Sequence, residues 1–181
     1  MKTTPFELHG REYHLCMNGA ALFDIYDKFG TAGSVTDPIE GIDRKSFDAT
    51  CWMLYKLSEQ GAMVRRYQGH ERAPYLREGE LRATLTPAET IRAKEAIKTA
   101  VRNGFAMEVP REEPEEEDVW LRELEAQDGK KSITRSQFLY AATQLLHFGV
   151  KESLLLTIGE MLDLLELDRN RRGGHEGGDG T

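Results

Sequence analysis

Three helix-capping boxes constrain this chain more than any other feature of its sequence. In each box a Thr is followed three residues later by Glu or Gln, so that the two side chains can satisfy free backbone N–H groups at the start of a helix. The boxes are Thr86 with Glu89, Thr134 with Gln137, and Thr157 with Glu160. Apolar residues with helical spacing follow each box, which predicts a mainly helical chain.

The first thirty residues predict a hairpin followed by a helix. Apolar and polar residues alternate on both sides of His9-Gly10, which is typical of a β-hairpin with a tight turn. From Asn18 the apolar spacing changes to three and four, which predicts a short helix that ends at Gly30. Asp43 can cap a longer helix, which we expect to end near Gly61. The predicted fold class is mainly α with a small N-terminal β-hairpin (α+β).

A break in composition predicts the domain organisation. Residues 112–118 hold six acids and no base, and their mutual repulsion favours an extended linker or an exposed helix start. We therefore expect few contacts across this region, so that residues 1–128 fold without the rest. The predicted parts are a hairpin and helical body (1–108), an acidic linker with a short helix (109–131), a C-terminal helical hairpin (132–168) and a disordered Gly-rich tail (169–181).

Length and charge exclude several classes of protein. At 181 residues the chain is shorter than a typical barrel enzyme. The 31 acids and 24 bases give a net charge of −7, which disfavours a nucleic-acid partner. The Arg residues between 65 and 85 alternate with Glu, so a solvated, ion-paired surface is preferred there to a basic patch. No membrane span or signal peptide is apparent, and we expect a cytosolic protein.

Motifs for catalysis or metal binding are missing from the sequence. Cys16 and Cys51 are expected to be small core residues, and His14 with Cys16 would supply only two of the ligands that zinc needs. Phosphate-binding loops and nucleophile elbows are absent. We therefore predict no catalytic residues, no metal site and no cofactor. A thiol enzyme that pairs Cys51 with a distant His is the remaining enzymatic alternative.

The C-terminal hairpin carries more apolar surface than it can cover by itself. Residues 154–167 hold seven leucines, one Ile and one Met. Two explanations are open: the hairpin packs on the first domain, or it meets another protein. For the second explanation, the predicted partner-binding residues are Leu154, Leu155, Ile158, Met161, Leu162 and Leu165.

Two motifs lie at the ends of the chain in a characteristic order. The opening Phe-Glu-Leu-His-Gly-Arg-Glu-Tyr-His-Leu is followed by a helix through Ala21–Tyr26, and the sequence Leu-Thr-Ile-Gly-Glu-Met-Leu-Asp-Leu-Leu spans 156–165. These motifs resemble the start and the frameshift-extended second part of the tail assembly chaperones of long-tailed bacteriophages. The signature of the extension would fall on Leu154, Thr157, Gly159, Glu160, Leu162 and Leu165.

The resemblance implies a non-enzymatic helper of phage tail morphogenesis. In this family the first domain binds the tape measure protein and the extension recruits tail tube subunits, in the host cytoplasm and not in the mature virion. Self-association is left open, and neither nucleic acid nor membrane is expected as a partner. The extension usually arises by ribosomal slippage, so codons of the type G-GGA-AAA are expected at Gly129-Lys130-Lys131. The alternative is a helical regulatory adaptor, of antitoxin or anti-repressor type, that acts through the leucine-rich hairpin.

Overall fold

The computed structural model describes residues 2–30, 33–109 and 133–173. This part of the chain contains one two-stranded sheet and seven α-helices, with a 3-10 turn at Asp37–Ile39 and a π-helical turn at Ala141–Leu145. The predicted fold class, mainly α with a small β-hairpin, is confirmed. The elements are β1 (Thr4–Leu8), β2 (Arg11–Leu15), α1 (Gly19–Phe29), α2 (Arg44–Tyr67), α3 (Glu78–Thr84), α4 (Pro87–Phe105), α5 (Arg135–Tyr140), α6 (Val150–Ser153) and α7 (Ile158–Gly173).

The N-terminal hairpin has the predicted turn. Strands β1 and β2 are antiparallel, with Thr4 opposite Leu15. His9 and Gly10 both have positive φ, at 51° and 71°, as a two-residue turn requires to match the twist of its strands. Alternate residues of β1 are buried, so one face of the hairpin packs on the helices.

Helix α2 begins where the sequence predicts but ends later. Asp43 caps it by accepting a hydrogen bond from the Ser46 backbone at 2.8 Å. The predicted end near Gly61 is wrong, because α2 continues to Tyr67. A Cβ atom at Gly61 would lie 1.8 Å from the carbonyl oxygen of His14. The glycine therefore lets β2 pass directly against the helix and does not end it.

All three predicted capping boxes are present. The Thr86 backbone donates to Glu89 Oε2 at 2.9 Å, and the corresponding bonds of Thr134 to Gln137 and of Thr157 to Glu160 are both 3.0 Å long. The returning hydrogen bonds to each Thr hydroxyl are also formed. Hydrogen bonds from Thr86 hold the pKa of Glu89 below its ordinary value. These helices begin where the local sequence places them.

Residues from both predicted domains meet in one hydrophobic core. The Gly19 N–H donates to the Leu156 carbonyl at 2.9 Å, and the Ala20 N–H donates to the Leu154 carbonyl at 3.1 Å. At Gly159 a Cβ atom would lie 2.2 Å from the Ala106 oxygen, so α7 approaches the end of α4 closely. Fully buried side chains from the two parts include Leu15, Leu22, Leu54, Ile97, Phe138 and Ile158.

The expectation of few contacts between the two parts is therefore wrong. The leucine-rich segment finds its apolar neighbours in the body, which is the first of the two explanations that the sequence left open. Helix α7 also continues to Gly173, past the predicted start of the tail at 169. The predicted linker beyond Val109, and residues 174–181 of the predicted tail, lie outside the described residues.

Candidate functional site

The six predicted partner-binding residues lie at or next to the contact between α7 and the body. Ile158 and Met161 are each only 1% exposed and belong to the core. Leu154, Leu162 and Leu165 are half-buried and pack against it, while Leu155 is half-buried at its edge. With α7 in this position, Ile158 and Met161 are not available to another protein.

A buried carboxylate joins α7 to the segment that follows α4. Asp163 accepts hydrogen bonds at 3.0 Å from the backbone N–H groups of Glu108 and Val109. Lys2 holds the same segment from the other side, because its ammonium group lies 3.0 Å from the Glu108 carboxylate and 3.2 Å from the Ala106 oxygen. The point where the chain leaves α4 is therefore attached to the C-terminal part.

The two thiols are buried and held protonated. Burial raises the pKa of Cys16 to about 12 and that of Cys51 to about 11. A reactive cysteine needs the opposite shift, because the thiolate is the nucleophile. The contacts of His14 are with Thr3 and Glu12, and His9 lies against Glu89. The raised pKa values of the two thiols give the thiol-enzyme alternative no support.

The described residues bring together no group of three or more His, Cys, Asp or Glu side chains suited to a metal ion. None of the helices within the same residues is both long and apolar enough to cross a membrane.

An apolar groove lies between the start of α2 and the start of α4. We call it the α2–α4 groove; it encloses about 340 Å³. Its apolar lining residues are Ile42, Phe47, Leu85, Pro87 and Ile91, and its polar ones are Asp43, Thr90 and Lys94.

Helix α4 uses two different faces for the core and for the groove. The lining residues Pro87, Thr90, Ile91 and Lys94 follow the helical spacing of three, four and seven, so they share one face. The buried residues of the same helix form another face: Ala93, Ile97, Ala100 and Gly104. Because the second face is fixed in the core, the groove face is held on a rigid support.

Two isoleucines of the groove face water. Ile42 is fully exposed and Ile91 is 66% exposed. Single exposed apolar residues are common, but two beta-branched side chains lining one groove, next to Phe47 and Leu85, form a continuous apolar surface. Such a surface is suited to an apolar side of another molecule.

The polar groups of the groove already have partners. Lys94 Nζ donates to the Gly41 carbonyl at 2.6 Å and lies 2.8 Å from Ser46 Oγ. The Asp43 carboxylate caps α2, and the Thr90 hydroxyl donates to the Thr86 carbonyl at 2.9 Å. The Lys94 bond to Gly41 fastens the loop before α2 to α4, and the lining that remains for a ligand is mainly apolar.

Two cations follow the groove's lining residues directly in the chain. Arg44 and Lys45 are the first residues of α2, directly after the lining residues Ile42 and Asp43, and both are exposed. No ion pair joins either of them to another residue in 2–30, 33–109 or 133–173, and the first turn of α2 contains no acid. The start of α2 beside the groove therefore carries two positive charges against the one negative charge of Asp43.

The sequence prediction missed this groove. A signal was present in α4, because Ile91 is out of phase with the apolar stripe of Ala93, Ile97 and Ala100. A second signal was Ile42, an isoleucine between Gly41 and the capping Asp43. Ile42 and Ile91 line the same groove only in the folded chain, and no local sequence pattern shows this proximity.

Comparisons with protein-family models, curated proteins and solved structures found no match to this chain.

Proposed function

We propose that this protein is a non-enzymatic tail assembly chaperone that binds the tape measure protein during phage tail morphogenesis. The observation that carries the proposal is the α2–α4 groove, with its exposed Ile42 and Ile91 and its internally bonded polar groups. Grooves of this kind take the apolar face of an amphipathic helix. The resemblance of the two terminal motifs to the chaperone family supports the tape measure protein as the partner.

The physical role of the groove would be to cover an apolar helix face before assembly. A long helical protein that has not yet met its partners exposes apolar surface, and such surface promotes aggregation. Ile91 stands on a helix whose other face is fixed in the core, and Lys94 fixes the loop that carries Ile42. The groove is therefore largely preformed, which lowers the entropy cost of binding.

The second half of the proposed function is recruitment of tail tube subunits by residues 133–173. Ile158 and Met161 are buried, so they do not serve this role while α7 is docked. The apolar side chains that this part does expose are Tyr140, Val150 and Leu167. We place the tail tube contact on these residues, and the site of action in the host cytoplasm.

The regulatory-adaptor alternative finds no specific support in the structure. It requires the leucine-rich hairpin to associate with another copy or with a target. The central residues of that hairpin, Ile158 and Met161, are already covered by the body. The α2–α4 groove is exposed without any rearrangement and is the better site for a partner.

Co-expression with the tape measure protein of the same phage tests the proposed function. We expect the soluble fraction of the tape measure protein to rise and the two proteins to co-elute. An Ile91→Asp variant should weaken the complex about tenfold or more, or about 1.4 kcal/mol, because it places a charge in the apolar groove.

The matched control is Val150→Asp, which changes another exposed beta-branched residue at a helix start. It should leave tape measure binding unchanged. Circular dichroism of both variants checks that they fold. An insoluble tape measure protein in the presence of the folded chain, or equal binding by the Ile91→Asp variant, would contradict the proposed function.

A further inference from the structure

We infer that the helix bound in the α2–α4 groove carries acidic side chains along one edge of its apolar face, and that these carboxylates contact Arg44 and Lys45. This inference rests on the proposed function and adds the chemistry of the partner segment. It concerns the charge of that segment, so it can fail while the groove still binds an apolar helix.

Arg44 and Lys45 directly follow two residues that line the groove. Ile42 and Asp43 line the groove, and Arg44 and Lys45 are the next two residues of the chain. Their side chains are exposed, so they can reach a ligand without a change in the backbone. A helix that places its apolar side chains against Ile42 would therefore present its flanking residues to these cations.

Among the described residues, no acid forms an ion pair with Arg44 or Lys45. Asp43 uses its carboxylate to cap α2, and Glu89 is engaged by Thr86. Glu40 lies 3.1 Å from Lys98 Nζ and forms an ion pair with it. Asp43 keeps its negative charge beside the two cations, so it offsets part of their positive potential, and the remainder is available to a ligand.

The helix itself adds to this potential. The N-terminus of an α-helix carries a partial positive charge, and acids are the residues that normally occupy its first turn. In α2 the first turn holds two cations and no acid. Carboxylates on a partner would meet the cations beside a helix terminus that Asp43 already caps, whereas cations on a partner would be repelled by Arg44 and Lys45.

The apolar lining favours a polypeptide with an acidic edge over a polynucleotide. Phe47, Leu85 and Ile91 line the groove, and they suit aliphatic side chains. A nucleic acid would place phosphates along the whole contact and would need cations throughout it. Binding of a nucleic acid is therefore one of the outcomes that the experiment must distinguish.

Two synthetic peptides serve as the probe. Both are capped helices of about 18 residues with the same leucines at helical spacing; one carries Glu and Gln on its polar positions, and the other carries Lys and Gln. Fluorescence anisotropy with the full chain should show that the Glu peptide binds at least about tenfold tighter at low salt. The difference should shrink at about 0.5 M NaCl, because salt screens exposed charges.

The decisive variant is Arg44→Gln/Lys45→Gln. It should remove the preference for the Glu peptide and leave the leucine contact intact. The matched control is Arg65→Gln/Arg66→Gln, which makes the same change in net charge at the other end of the same helix. The control should keep the full preference, so the effect is assigned to the edge of the groove and not to the overall charge.

The outcomes separate this inference from the proposed function. If both peptides bind equally, and both are lost in the Ile91→Asp variant, the inference is overturned while the groove remains the binding site. If neither peptide binds, or if Ile91→Asp has no effect, the groove and the proposed function fail together. A preference that survives in Arg44→Gln/Lys45→Gln, or tighter binding of a single-stranded oligonucleotide than of the Glu peptide, also overturns the inference.

Discussion

At the scale of single residues, Gly61 allows strand β2 to pass directly against helix α2. It lies within α2, and the missing side chain leaves room for the backbone of β2 at His14. The Cys16 N–H donates to the Leu57 carbonyl at 3.0 Å just beside this approach. Glycine costs a helix some stability relative to alanine. Here that cost is offset by packing that no other residue permits.

Gly61→Ala should therefore destabilise the protein although alanine is the better helix former. The new Cβ would overlap the His14 oxygen, and the backbone must shift to relieve the contact, so we expect a loss of about 2–4 kcal/mol. Urea unfolding followed by circular dichroism measures it.

The control for this change is Gly79→Ala in α3, where a Cβ atom would meet nothing within 4 Å. That substitution should stabilise the protein by about 0.5–1 kcal/mol. Equal effects of the two substitutions would contradict the assignment of a packing role to Gly61.

The residues that could be predicted from the sequence are those whose role is local. Thr86 and Thr134 cap helices within four residues of their own position, and Asp43 does the same for α2. Gly61 and Ile42 could not be predicted, because their roles depend on β2 and on α4. The positions of these partners are set by the fold and not by neighbouring sequence.

At the scale of elements, the first turn of α2 holds two cations that the helix dipole disfavours, although the Asp43 carboxylate caps the same helix start. Arg44 and Lys45 stand where the helix dipole favours acids, while Arg65 and Arg66 stand in the last turn, where it favours cations. A costly arrangement next to an exposed groove is consistent with the role in binding that we propose for it.

Arg44→Gln/Lys45→Gln should therefore make the isolated chain more stable. Each neutralised cation should contribute about 0.3–1 kcal/mol at low salt, measured by urea unfolding. Arg65→Gln/Arg66→Gln should lower stability by a similar amount, because those charges interact favourably with the helix C-terminus. Shifts in the same direction for both pairs would show that the dipole is not the cause.

The sequence predicts where several helices begin, but it does not predict which other elements those helices contact. The leucines of the C-terminal part predicted more apolar surface than a hairpin covers by itself, and several of them pack against the core. The sequence left open whether this surface meets the body or a partner. Gly159 allows α7 to approach Ala106 closely, so the leucine-rich surface packs on the body. This effect depends on a contact more than fifty residues away in the chain.

At the scale of the whole molecule, the two predicted parts form one core. Asp163 links them at the place where the chain leaves α4. The carboxylate is largely buried, and it accepts the hydrogen bonds of the Glu108 and Val109 backbone N–H groups. The C-terminal part is thus placed at a defined position relative to the α2–α4 groove.

Asp163→Ala should destabilise this arrangement by about 1–3 kcal/mol, because two partly buried N–H groups lose their acceptor. Unfolding in urea should remain a single transition if the two parts share one core. Asp27→Ala, which removes an exposed acid from α1, should change stability by less than about 0.5 kcal/mol. Two separate transitions in the unmodified chain would show that the parts fold independently.

The central claim is that the α2–α4 groove holds a helix of the tape measure protein, and site-specific photocrosslinking tests it most directly. A photoreactive phenylalanine analogue replaces Ile91 in one variant and Val150 in another, and each is co-expressed with the tape measure protein and irradiated. We predict an adduct with the tape measure protein from position 91, mapped by mass spectrometry to an apolar segment flanked by acids, and none from position 150. A complex that forms but yields no adduct from position 91 would contradict the claim.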